Sequence, residues 1–259
     1  MIDHKIDLEG HKRALSREGA TIVKQVLTKD EVGALTRELE NAIAEDLEKY
    51  SNVFDKGMVH NCMVRGQQLA ALLDNKLLNF YIKKLFSETC ILYAYQSSSL
   101  PPQEGNYGTR IHVDSPRFIP GYQTNIGVIF PLTDFRIDNG ATKYLPSSHL
   151  RETAPDEELF DRHHKQLICR SGDMIIFSGR LYHSAGINES HEYRHSITLN
   201  ICRSYMRQRF DFPRLVPKEL IDKMGEDAKR LIGMNVRMPV SLEQFYVPEE
   251  ERMYKSNQG

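Results

Sequence analysis

Five short segments between about residues 88 and 206 constrain the fold of this chain more than any other feature. They read "CILYAYQSSS", "TNIGVIFPLTDF", "ATKYLPSSH", "QLICRSGDMIIFSG" and "RHSITLNICRSY". Each is rich in β-branched and aromatic residues, and Gly, Pro, Asp or Asn punctuates most of them, as strands joined by turns require. Two helix signals come first. In "LTKDEVGALTRELENAIAEDLEKY", Thr28 and Glu31 stand at capping-box spacing, and Val32, Leu35, Leu39, Ile43 and Leu47 make one apolar stripe. "QQLAALLDNKLLNFYIKKLF" repeats the pattern with Leu69, Leu73, Leu77, Ile82 and Leu85. After the strands, "PKELIDKMGEDAKRLIG" predicts a helix opened by Pro217. Helices first, strands between and a helix last predict an antiparallel β-sandwich or barrel with helices packed outside it, not a βαβ repeat.

No repeat, low-complexity tract or linker-like run divides the chain. Residues 1–259 therefore read as one domain: a helical part over about 1–87, a β core over about 88–206 and a helical extension over about 207–259. Lys and Arg number 34 against 35 Asp and Glu, so there is no overall basic field for nucleic acid or an anionic membrane. No window approaches the ~18 continuous apolar residues of a membrane span. The N-terminus, "MIDHKIDLEGHKRALSREG", lacks the apolar core of a signal peptide. Cys62, Cys90, Cys169 and Cys202 are scattered with no CxxC pair, as ordinary reduced thiols would be. These features predict a cytoplasmic protein. They leave its oligomeric state open.

Within "TRIHVDSPR", His112 and Asp114 stand two apart between Ile111 and Val113. On a strand such a pair points to one face, ready to share a proton or grip a metal. Polar residues on the solvent side of a strand would look the same. His183, in "SGDMIIFSGRLYHSAGIN", changes the balance. Two imidazoles and one carboxylate are the set that binds non-haem Fe(II) and leaves coordination positions open for a co-substrate and O2. Arg194 follows eleven residues after His183, and Arg194, Ser196 and Thr198 alternate onto one strand face. A guanidinium fork beside a hydroxyl is a receptor for a carboxylate, although an arbitrary Arg more often makes a surface salt bridge.

These blocks resemble the phytanoyl-CoA dioxygenase family of Fe(II)/2-oxoglutarate-dependent oxygenases. His112-Val113-Asp114 is similar to its His-x-Asp. "LTDFRIDNGATKYLPSSHL" is similar to its Asp-Asn-Gly…Leu-Pro-Gly-Ser-His segment. "GDMIIFSGRLYHSAGIN" is followed by Arg194 at the family's spacing, and "LSREGATIVKQVLTKDEVGALTRELE" resembles the family's opening strand and helix. The resemblance implies a mostly β fold with flanking helices, whose core is a double-stranded β-helix (jelly-roll, cupin-like). It also implies iron held by His112, Asp114 and His183, and 2-oxoglutarate held by Arg194 with Ser196 beside it, and it places Gln96 where related sequences have a residue touching 2-oxoglutarate or substrate. By the same analogy Arg65, Tyr107 and Arg117 lie at the site mouth as substrate contacts. Two positions depart from the family pattern: Ala185 stands where a Ser is common, and Ile129 where a Trp is common.

The implied activity is hydroxylation of a C–H bond in a small molecule (an amino acid, a natural-product intermediate or a lipid acid) with release of succinate and CO2. Asp114 argues against a halogenase, in which Gly or Ala leaves room for chloride. Desaturation, epimerisation and cyclisation use the same ligands. A jelly-roll metal isomerase or ligand-binding sensor is the reading from another class, since fold does not fix function. Of the other histidines, His149 is expected to order a turn, and His163, His164, His191 and His195 to have no direct role.

Overall fold

The computed structural model describes residues 7–50, 57–256 and 258. Helix α1 (Leu8–Glu18) leads into strand β1 (Ala20–Val23), and helix α2 (Lys29–Lys49) follows. Both halves of the capping box form: Thr28 Oγ1 accepts from the Glu31 amide, and the Glu31 carboxylate accepts from the Thr28 amide. The second helix signal is not one helix. It divides into α3 (Gln67–Ala71), a 3-10 turn (Leu72–Asp74) and α4 (Lys76–Leu85). Asn75 makes the break, leaving helical geometry so that its side chain accepts from the Leu78 amide and starts a new helix.

Strands β2 (Ile91–Ser97), β3 (Asn125–Pro131), β6 (Met174–Ser178) and β8 (Ser196–Cys202) join β1 in one antiparallel sheet of order β1-β6-β3-β8-β2. Strands β4 (Lys143–Tyr144), β5 (Lys165–Gln166) and β7 (His183–Ser184) make a second sheet, β5-β4-β7. A helix that the β-rich pattern hides, α5 (Glu157–His163), lies between the strands, its first turn capped by Asp156. After β8 come α6 (Phe212–Leu215), α7 (Lys218–Ile221), α8 (Glu226–Leu231) and α9 (Leu242–Phe245). The helix expected to start at Pro217 is thus two helices divided at Gly225, with Pro217 at the cap position of the first.

Strand alternation sorts the apolar residues into two cores. Ile126, Val128 and Phe130 of β3, with Met174 and Ile176 of β6 and Ile197, Leu199 and Ile201 of β8, meet residues of the helices such as Leu39, Leu69 and Ile82. The opposite face supplies Ile129, Ile175 and Phe177 to a smaller cluster with Phe135, Tyr144, Leu167 and Leu181. At the start of β6, Asp173 is buried and accepts from the amides of Gln25 and Arg170 and from Lys24 Nζ, which ties the end of β1 to β6. All four cysteines are free and buried, as reduced thiols would be. Among the described residues no helix is long and apolar enough to cross a membrane.

Gly127 faces Phe177 directly across the β3–β6 pair. A β-carbon at Gly127 would stand 2.1 Å from Phe177 Cζ, and that ring also packs edge-on with His183, ring centroids 4.9 Å apart. The Gly127→Ala variant is therefore expected to be less stable by about 1–3 kcal/mol, the usual cost of overpacking. Chemical denaturation measures this, and an unchanged midpoint would show that the ring moves aside freely.

Candidate active site

"TRIHVDSPR" does not form a strand. Only His112 pairs, in an isolated antiparallel bridge with His183 of β7. The His112 amide donates to the His183 carbonyl at 3.0 Å, and the His183 amide donates back to the His112 carbonyl at 3.0 Å. Residues paired this way carry their side chains on the same face, and the two imidazole centroids lie 4.3 Å apart. Asp114 then turns in beneath them. Its Oδ1 is 3.8 Å from His112 Nε2 and 3.9 Å from His183 Nε2. One ligand atom from each of the three residues lies within 4.8 Å of the others, the one such cluster among the described residues.

The imidazole tautomers follow from the backbone. His112 Nδ1 is 2.7 Å from the Arg110 carbonyl, and His183 Nδ1 is 2.9 Å from the Leu181 carbonyl. A carbonyl only accepts, so each Nδ1 carries a hydrogen, and each Nε2 is the ring atom turned toward Asp114. Burial, then the neighbouring His112, pull the His183 pKa down to about 4 against the opposing pull of Asp114. A neutral His183 is the form that ligates. Bonds of roughly 2.0–2.2 Å to a divalent ion put two donors roughly 3 Å apart at right angles and roughly 4 Å apart when opposite. The two separations measured from Asp114 lie inside that range.

A cavity of about 320 Å³ opens beside this cluster, lined by His112, Asp114 and His183 together with Gln96, Tyr107 and Thr198. Both departures from the family pattern, Ile129 and Ala185, are also on its wall. Thr198 and Asn200 point into it from alternate positions of β8, and Ser196 and Arg194 continue that row beyond the cavity's end. Arg194 is 1% exposed. Its Nη1 donates to Ser196 Oγ at 3.2 Å, and its guanidinium lies 4.5 Å from the centre of the Phe135 ring. Its Nε and Nη2 have no hydrogen-bond partner, and no carboxylate pairs with it among the described residues. Burial lowers its pKa to about 9.

Of the three expected substrate contacts, only Tyr107 lines the cavity, with the Arg110 guanidinium 3.8 Å from its ring centre. Arg65 is elsewhere. Its guanidinium pairs with Asp46 at 2.8 Å and Glu45 at 2.9 Å, so the acidic edge of α2 captures it. Arg117 is exposed and off the cavity wall. His149 is buried and its ring contacts the Ser16 carbonyl, which fastens the 147–150 turn to α1. His163, His164 and His191 do not line the cavity. Sequence reasoning missed His60, Tyr93, Asn200 and Arg209 on the wall. Continuing the β8 alternation by one step would have found Asn200; nothing periodic marks the others.

The family model for phytanoyl-CoA dioxygenase (PhyH) matches residues 15–196, which include the two histidines, Asp114 and Arg194. The chain belongs to the phytanoyl-CoA dioxygenase family. It is accordingly an enzyme of the Fe(II)/2-oxoglutarate-dependent dioxygenase class. Among curated relatives of this phytanoyl-CoA dioxygenase-family chain, the Mycobacterium tuberculosis (strain ATCC 25618 / H37Rv) protein Rv1501 is 25% identical over 269 residues, covering 100% of this chain and 98% of that one. Dioxygenase cdmA of Talaromyces verruculosus is 26% identical, covering 85% of this chain and 80% of that protein. The fold is that of the epimerase SnoN, solved with Fe3+, alpha ketoglutarate and nogalamycin RO. The TM-score is 0.63 at 20% identity, over 82% of this chain and 90% of that one.

His195, next to Arg194, is 5% exposed, and its Nδ1 lies 3.0 Å from Ser99 Oγ. Burial, then the Arg194 charge, lower its pKa to about 4. An unfolded chain takes up this proton near pH 6.5, so between pH 6.5 and about 4 the unfolded state binds more protons than the folded one. Stability from this group is whole above pH 6.5 and falls as pH drops, by roughly 3 kcal/mol at the bottom of the window. Urea denaturation of the metal-free protein across that range should show the loss. His195→Gln should lessen the slope, leaving the share that the similarly lowered His183 supplies, and an equal slope in the variant would put the titration elsewhere.

Proposed function

We propose that this enzyme hydroxylates a C–H bond of a small molecule, with His112, Asp114 and His183 as iron ligands and Arg194 as the receptor for 2-oxoglutarate. The observation that carries the reading is Arg194. A guanidinium out of water with two unpartnered donor atoms is costly unless an anion meets it. The far carboxylate of 2-oxoglutarate matches the fork, with Ser196 Oγ, which itself donates to the Ser98 carbonyl at 3.0 Å, holding the guanidinium in place. Thr198 Oγ1, buried and unpartnered on the cavity wall, offers a hydroxyl that Ala185 does not. The two sheets are taken as the two halves of a double-stranded β-helix, with the cavity between them.

The donor set fits iron. Two imidazoles and one carboxylate would hold Fe(II) and leave coordination positions for co-substrate and O2. Bound Fe(II) supplies the oxidising chemistry, in which O2 is consumed, 2-oxoglutarate becomes succinate and CO2, and one oxygen atom goes to the substrate. The chain's own residues do the rest. The Arg110 and Leu181 carbonyls orient the imidazoles, Phe177 backs His183, and Ile129 and Phe177 keep that end of the cavity apolar.

Succinate release with Fe(II), ascorbate, 2-oxoglutarate and air tests the reading. His112→Ala, Asp114→Ala and His183→Ala are each expected to abolish it, and a variant near full activity at micromolar iron would remove that residue from the ligand set. Arg194→Ala should raise the KM for 2-oxoglutarate at least about tenfold, given ~1.5–3 kcal/mol for a charged hydrogen bond. Arg194→Lys should recover only part of this, because an ammonium lacks the planar fork. Iron affinity measured without 2-oxoglutarate should not change in either. Unaltered 2-oxoglutarate binding in Arg194→Ala would overturn the assignment.

A further inference from the structure

Strand β2 carries an irregularity where it borders the cavity. Its pairing with β8 runs Leu92 with Ile201 and then Ala94 with Asn200, which leaves Tyr93 without a partner. Such a bulge frees a backbone group and re-aims side chains, and bulges gather beside active sites. Here the freed Tyr93 carbonyl accepts from the Arg209 amide at 2.9 Å. The preceding residue is pinned as well, Gln208 Nε2 donating to the Leu92 carbonyl at 2.8 Å and the Ile232 carbonyl at 3.3 Å. The bulge therefore seats a segment from beyond the last strand against the cavity, and Tyr93 and Arg209 both join its wall.

Arg209 Nη1 donates to Gln96 Oε1 at 3.1 Å, and the guanidinium lies 5.6 Å from the centre of the Tyr93 ring. Only the oxygen of the Gln96 amide accepts from a guanidinium, so its NH2 is left as a second donor next to the fork. His60, bridged through its backbone to Gln96, lines the same side. Among the described residues no carboxylate pairs with Arg209, and Asp114 is the one carboxylate on the cavity wall. The wall thus holds a positioned cation whose partners are neutral.

We propose that Arg209 and Gln96 dock a carboxylate of the substrate, so that the enzyme oxidises a small monocarboxylic acid. This rests on the dioxygenase reading above and supplies its substrate class. One guanidinium with one amide donor matches the two oxygens of one carboxylate. No lysine joins them on the wall, so a polyphosphorylated thioester would leave most of its charge unmet. Arg194 has a different task, since it lies past the cavity's end and Arg209 stands on the wall.

The test uses the full chain loaded with Zn(II) and saturated with N-oxalylglycine, a 2-oxoglutarate mimic that fills the Arg194 slot and permits no turnover. Octanoate, isovalerate and hydrocinnamate are titrated calorimetrically, each against its primary amide. At least one acid is expected to bind about tenfold tighter than its amide. Arg209→Gln should abolish that preference, and Arg209→Lys should restore part of it. Equal binding of every acid and amide, no binding of any acid, or a preference that survives Arg209→Gln would each overturn the carboxylate assignment. Failure of N-oxalylglycine itself to bind would overturn the dioxygenase reading beneath it. The two failures are therefore told apart by whether the mimic binds.

Discussion

The site depends on one pair of backbone hydrogen bonds, those exchanged by His112 and His183. Asp114 belongs to no strand, and the segment around it has little regular structure to hold it. What fixes it is its attachment to the turn between β6 and β7. The Ser115 amide donates to the Gly179 carbonyl at 2.8 Å, and buried Arg180 reaches the Pro116 carbonyl at 2.9 Å. The same Arg180 donates to the Arg151 carbonyl at 3.0 Å, so a third segment is bound into the knot. The carboxylate and the distal histidine are thus set by one turn, and their separation does not rely on two remote elements keeping their distance.

Around that pair the electrostatics divide into two environments. At the corner formed by His112, Asp114 and His183, burial and then the neighbouring His112 lower the His183 pKa, while Asp114 and the Leu181 carbonyl that takes its Nδ1 hydrogen oppose them. Just before β8 a guanidinium is buried where no carboxylate among the described residues answers it, against the rule that buried charges are paired. Apolar Phe135 on its face and Ser196 at its edge hold it without neutralising it. Under the proposed function, such an arrangement gives up folding stability for an anion-binding position that is formed before the anion arrives.

Much of this was legible in the sequence because it rests on short-range rules. The capping box of Thr28 and Glu31, the strand runs at 91–97, 125–131 and 196–202, and the alternation of Arg194, Ser196 and Thr198 follow from local spacing. His112 and His183 were legible as residue types, but the bridge joining them was not, since a single paired residue has no period. The break at Asn75 was hidden because a capping side chain interrupts a helix without disturbing its leucine stripe. Arg65 misled because what captures it, Asp46 and Glu45, lies some twenty residues away on another helix. Arg209 was invisible for a related reason: a bulge in β2 decides its place.

The two cores on opposite faces of the larger sheet carry different burdens. The cluster shared with the helices contains most of the buried aliphatic residues, while the smaller one, with Ile129, Phe135 and Phe177, stands next to the cavity. The sheet that closes this second cluster is made of two-residue strands. Hydrogen exchange should consequently be graded across the molecule. Amides of β3 and β8 should exchange only when the whole chain opens, and those of β4 and β5 through smaller local excursions. The helix-facing core thus bears on how long a molecule survives, and the thinner one on the shape of the cavity it borders.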